Sequence, residues 1–261
     1  MSQVRNGATE TRLTGMPLVL LTAVLLAVAA LVIYSRQTVA ADPRAERAFD
    51  PDETMRVTRD AWVSFRPRDV EPATGVIFYP GGKVEPAAYA PILRALAERG
   101  MLVALVPMPL NLAILAPDRG ADVMRRNPAV RHWFIAGHSF GGVMAARFAF
   151  DRRDSLAGLI LWAAFPERSV DLADTALPVL SVYGTQDEIT APQDILTARA
   201  VLPDGATLAA IEGADHWSFG SFAGVSRRAS RSSQELEAAI LNATTQFIRT
   251  VTGSELTDPE A

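Results

Sequence analysis

The chain has 261 residues, 49% of them hydrophobic, enough to bury one substantial core, so a single globular domain is the first expectation. A net charge of −4 and a single lysine, Lys83, exclude the basic face that nucleic-acid binding needs. There is no cysteine, which excludes disulfides, thiol nucleophiles and cysteine-ligated metal; three scattered histidines offer no ligand spacing, so neither metal nor cofactor is expected.

Residues 1–15 form a short tail carrying Arg5 and Arg12. Met16 to Tyr34 is uncharged and apolar, the length of one membrane-spanning helix, with Tyr34 where an interfacial aromatic sits. The expectation is an uncleaved anchor with its N-terminus inside and the rest of the chain extracytoplasmic. Two features compete with it: Thr38-Val39-Ala40-Ala41 offers a small-residue cleavage site, and Arg36, Arg44 and Arg47 nearly cancel the charge bias. Residues 35–55 are polar, with Pro43, Pro51 and charges of both signs, and read as a linker or loosely packed arm.

From residue 56 to 261, strand-like and helix-like stretches alternate, the pattern of a mostly parallel central sheet with helices on both faces. Arg56–Phe65 reads as an edge strand. Val76–Tyr79 reads as a central one, stopping at Pro80-Gly81-Gly82-Lys83, where two glycines let backbone amides approach a ligand. This is not a phosphate loop: Val84 stands where a serine or threonine would bind magnesium, and Ile77 where the first glycine would be. A helix over Pro86–Arg99 ends at Gly100, and Leu102–Val106 is a further strand. The apolar stretch Pro107–Leu115 leaves the carboxyl end of that strand, the side on which such sheets bind ligands. It reads equally as an acyl pocket or lipid contact and as core.

The most informative segment follows. Arg131–Ala136 reads as a buried strand, Gly142–Phe150 as a small-residue helix, and between them stands Gly137-His138-Ser139-Phe140-Gly141. G-x-S-x-G between strand and helix is a tight turn that lifts the serine hydroxyl above the sheet edge, and it lacks the G-x-G-x-x-G of a dinucleotide site. A serine is a poor nucleophile unless a base takes its proton and a carboxylate orients that base. The backbone amide after the serine, Phe140, is a candidate oxyanion donor, and the glycine loop supplies a second near Gly82.

Leu156–Ala163 and Leu177–Gly184 are further strands, separated by about a dozen residues, too few for a lid domain. Asp187 follows the second and is preferred as the acid over Glu188, Asp194 and Asp215. A helix over Pro192–Val201 and a last strand over Ala206–Ile211 lead to His216. It alone among the histidines lies downstream of the serine, His132 being on the incoming strand and His138 inside the turn. The basic stretch Ser226–Arg231 reads as a solvated loop or an anionic-headgroup contact. Ser232, Ser233 and Glu235 begin a helix that runs to Thr250.

Phe78–Pro86, Gly137–Gly142, Gly184–Asp187 and Gly213–His216 together resemble the α/β-hydrolase superfamily, in its small forms with a minimal cap. The resemblance covers roughly residues 56–251 and departs in one place: many relatives carry His-Gly at the oxyanion loop, where this chain has Pro80-Gly81. It implies a serine hydrolase acting on a carboxylic ester, or less readily an amide, with Ser139, Asp187 and His216 as triad and Phe140 and Gly82 as oxyanion donors. A small ester or lipid-like substrate would be its partner, held near a membrane by the N-terminal helix. Two alternatives stay open: a non-catalytic ligand-binding or structural member of the fold, and an acyltransferase using the same triad. The oligomeric state is not legible.

Overall fold

A computed structural model describes residues 16–253. The chain divides between Gln37 and Thr38 into two compact units. In the first, Met16–Arg36 form helix α1, whose large apolar side chains, among them Leu18, Leu20, Leu26 and Ile33, are exposed. Among the described residues no helix is long and apolar enough to cross a membrane. The spanning anchor expected over residues 16–34 is thus not shown there. The tail, residues 1–15, lies outside the described residues.

The second unit is built on one eight-stranded sheet. Its strands are β1 (Met55–Arg59), β2 (Val63–Pro67), β3 (Thr74–Tyr79), β4 (Leu102–Leu105), β5 (His132–His138), β6 (Gly158–Trp162), β7 (Val179–Gly184) and β8 (Thr207–Ile211). They lie in the order β1-β2-β4-β3-β5-β6-β7-β8, with β2 antiparallel to both β1 and β4 and β3 to β8 mutually parallel. The central strands are apolar throughout because both faces are covered. Side chains alternate between the faces with period two. Val76 and Phe78, Val103 and Leu105, Phe134 and Ala136, and Ile160 and Trp162 enter one core, shared with α2 (Ala90–Ala97) and α6 (Ser233–Thr252). Ile77 and Tyr79, Trp133 and Ile135, and Leu159 and Leu161 enter the other, shared with α3 (Arg119–Arg126) and α4 (Phe140–Arg152). Helix α5 (Pro192–Ala198) follows β7.

Parallel pairing brings the loops after β3, β5, β7 and β8 to the same edge. The register runs Tyr79↔Gly137, His138↔Trp162, Trp162↔Val182 and Gly184↔Ile211, so those strands end nearly level and their loops face one another. The connection from β6 to β7 carries no helix or strand.

Three sequence expectations change. Arg56–Phe65 is a hairpin, β1 and β2, turning over Asp60, Ala61 and Trp62, because each strand gains a partner that a single edge strand would lack. Pro86–Arg99 begins as a one-turn 3₁₀ helix, Pro86–Tyr89, before α2. Residues 38–55 are not a linker. Pro43–Phe49 form a 3₁₀ helix that buries Ala45 and Phe49, and the strand-like arm before it pairs Val39 with Val84 and Ala41 with Phe222. The polar residues that suggested a linker are its outer face; the alanines and Phe49 are its inner one.

Candidate active site

Ser139 joins β5 to α4 with φ 51° and ψ −128°, a region L residues avoid. The conformation is held from both sides. The Ser139 amide donates to the Trp162 carbonyl on β6 at 3.0 Å, and its carbonyl accepts from the amides of Gly142 and Val143 at 2.9 and 3.1 Å. The turn closes so tightly that its glycines admit no side chain. A Cβ on Gly141 would stand 2.2 Å from the carbonyl oxygens of Tyr79 and Pro80, and one on Gly137 would meet the backbone of Gly141 at 2.5 Å.

The hydroxyl so presented meets His216, on the loop after β8, with Oγ 3.0 Å from Nε2. The other ring nitrogen, Nδ1, lies 2.9 Å from Asp187 Oδ2 on the loop after β7. The second Asp187 oxygen accepts from the amides of Ile189 and Thr190, each at 2.8 Å, which fixes the carboxylate's direction. Asp187 and His216 are buried and Ser139 is half-buried, so the row opens to solvent only at the serine.

The glycine loop after β3 lies against α4, for a Cβ on Gly82 would approach Phe140 Cβ at 3.3 Å. The Gly81 amide is taken, donating to Tyr89 Oη at 3.1 Å. Among the described residues the amides of Gly82 and Phe140 have no acceptor; that of Phe140 opens a helix, where the first amides lack intrahelical partners. Among the same residues no cluster of three His, Cys, Asp or Glu side chains is placed to hold a metal ion.

A profile of the alpha/beta hydrolase family matches residues 75–238, from β3 into α6, and spans every segment just described. The chain belongs to the alpha/beta hydrolase family. No curated protein sequence matches it. Solved structures of the same fold include a predicted CIB-like hydrolase from Thermoplasma acidophilum, at 15% identity and a TM-score of 0.56, covering 75% of this chain and 99% of that one. Est1E from Butyrivibrio proteoclasticus, with ferulic acid bound, is 15% identical at a TM-score of 0.55 and covers 77% and 98%. A bacterial membrane phospholipase A is 15% identical at 0.56 and covers 92% and 98%.

Within this hydrolase the rival acids all lie away from the imidazole. Asp215 is buried but turns from the imidazole: Oδ1 accepts from Ser218 Oγ at 2.7 Å and the Trp217 amide at 3.1 Å, Oδ2 from the amides of Arg228 and Ala229 at 2.6 and 3.1 Å. Glu188 pairs with Arg228 at 2.8 Å on the surface, and Asp194 lies exposed on α5. His132 opens β5, far along the strand from the turn. Sequence reading missed the work of residues 226–231. Arg227 donates to the carbonyls of Trp217 and Gly220, and the next two amides hold Asp215, so the stretch clamps the His216 loop. Its net positive charge suggested solvent or headgroups; the signal for the clamp was Asp215 itself, a carboxylate needing partners thirteen residues on.

Proposed function

We propose that this alpha/beta hydrolase is a serine hydrolase that cleaves carboxylic esters through an acyl-enzyme. Its main support is the unbroken row Asp187 Oδ2, His216 Nδ1, His216 Nε2, Ser139 Oγ, at 2.9 and 3.0 Å. Ser139 Oγ attacks the ester carbonyl carbon while its proton passes to His216 Nε2. The amides of Gly82 and Phe140 receive the negative oxygen. The tetrahedral species collapses, the bond to the alcohol oxygen breaks, and Nε2–H delivers the proton to that oxygen. Water repeats the sequence on the acyl-serine and frees the acid. Asp187 stays ionised throughout, holding Nδ1–H and favouring the imidazolium.

The substrate carries an apolar, lipid-like acyl group in this reading. Leu110, Ile114 and Leu115, on the loop after β4, and Ile189, beside Asp187, expose apolar side chains at the strand edge that bears Ser139. The first loop also touches the glycine loop, the Lys83 amide donating to the Asn111 carbonyl at 2.9 Å. A cavity of about 550 Å³ lies between α5 and the chain leaving β6, its apolar wall of Phe165, Pro166, Ala198 and Val201 rimmed by the charged Glu167, Arg168 and Asp194. The fold shared with a membrane phospholipase A agrees with this substrate class. Membrane attachment through residues 16–34, with the catalytic unit extracytoplasmic, belongs to the same proposal and rests on the uncharged run and the exposed apolar side chains of α1.

Ser139→Ala is expected to lower turnover of p-nitrophenyl butyrate by about 10⁴-fold or more. Turnover within tenfold of the wild type would contradict the assignment.

A further inference from the structure

Two buried polar side chains beside the site take no part in these proton transfers. His138 precedes the nucleophile at the end of β5, and Tyr89 closes the 3₁₀ turn after the glycine loop. His138 Nε2 lies 3.1 Å from the carbonyl oxygen of His216. A carbonyl only accepts, so Nε2 carries the proton and Nδ1 presents its lone pair. Tyr89 Oη, 2.7 Å from Nδ1, is therefore the donor in that bond, and it accepts the Gly81 amide in turn. The path runs Gly81 N–H to Tyr89 Oη, Tyr89 O–H to His138 Nδ1, and His138 Nε2–H to the His216 carbonyl. Each donor meets one acceptor, and one ring tautomer alone satisfies it.

The surroundings keep that arrangement. Burial holds the His138 pKa well below its usual 6.5, with the nearby His216 acting in the same sense. Burial also pushes the Tyr89 phenol upward, so its proton stays available to donate. Phe219 stacks on the His138 ring at 5.5 Å, and Phe222 lies 6.2 Å away, closing the ring off from water.

Both ends of the path matter. Gly81 immediately precedes Gly82, and the His216 carbonyl belongs to the residue whose ring faces Ser139. We propose that Tyr89 and His138 are positioning residues of the hydrolase: their hydrogen bonds brace the glycine loop, the turn at Ser139 and the His216 loop in one mutual geometry. The inference rests on the serine-hydrolase reading above. Neither side chain touches substrate; each acts through the backbone it holds.

The test uses the full chain and p-nitrophenyl butyrate, with turnover counted per serine titrated to endpoint by a fluorophosphonate, so that loss of folded protein does not register. Tyr89→Phe removes two hydrogen bonds with little change in shape. It is expected to lower kcat about tenfold with KM changed less than about twofold, since misplaced donors and base act on the transition state. His138→Leu cuts the same path, so the double variant should lose no more than the worse single one. Nitrogen-15 shifts of the wild-type ring should report protonated Nε2 and bare Nδ1. Unchanged kcat in Tyr89→Phe, losses that multiply in the double variant, or the opposite tautomer overturns the proposal. A wild-type protein with no reactive serine contradicts the hydrolase reading instead, and the tautomer then decides the brace.

Discussion

A backbone at φ 51° and ψ −128° costs Ser139 about 1–3 kcal/mol, and the three backbone hydrogen bonds around it offset that cost. The division of labour between two buried aspartates follows similar lines. Asp187 spends one oxygen on the turn that carries it and the other on His216; Asp215 spends both on the loop around His216. Their variants should therefore separate. Asp187→Ala is expected to cut turnover about 10³-fold or more. Asp215→Ala should act chiefly on stability, by about 2–4 kcal/mol in urea unfolding, because it orphans several buried donors. The reverse pattern would mean that the acid has been assigned to the wrong residue. Chain order after the last two strands picked out Asp187 and His216 in the sequence. The partners of Asp215 were not legible there, because they come from a segment whose arginines look like surface charge.

Most elements could be read from the sequence because buried parallel strands are short apolar runs bounded by glycine and proline, as at Val76–Tyr79 and Val179–Gly184. Helix α3 was missed, since Arg119–Arg126 is dominated by charge and buries only Gly120 and Val123. The arm over residues 38–49 was misread for a related reason: its anchoring is mostly backbone pairing, which leaves no side-chain pattern. Val39 exchanges hydrogen bonds with Lys83 and Glu85 at 2.8 and 3.0 Å, and the Asp42 amide donates to the Ser221 carbonyl at 2.8 Å. The arm thus straps the glycine loop and the His216 loop. A chain beginning at Thr38 should keep near-normal turnover of a short ester. One beginning at Asp50 loses these pairs and the buried Phe49, and should be less stable by at least about 3 kcal/mol. Equal stability of the two in urea would show that the arm contributes nothing.

For the molecule as a whole, His138 links stability to pH. Its folded pKa lies well below the unfolded value of 6.5, so below about pH 6.5 the unfolded chain binds a proton that the folded one refuses. The contribution is fully present above that pH and is lost as pH falls toward the folded value, by up to about 1.4 kcal/mol per pH unit. Urea unfolding of the wild type between about pH 6.5 and 5.5 should therefore show a steeper loss than His138→Asn; parallel lines would contradict a neutral buried ring. The central claim is that the turn between β5 and α4 presents a reactive serine to His216. Mass spectrometry after treatment with a fluorophosphonate tests it most directly. One adduct per chain on the peptide bearing Ser139, lost in Ser139→Ala and strongly slowed in His216→Gln, is the predicted result; no adduct, or an adduct on any other residue, would contradict the account.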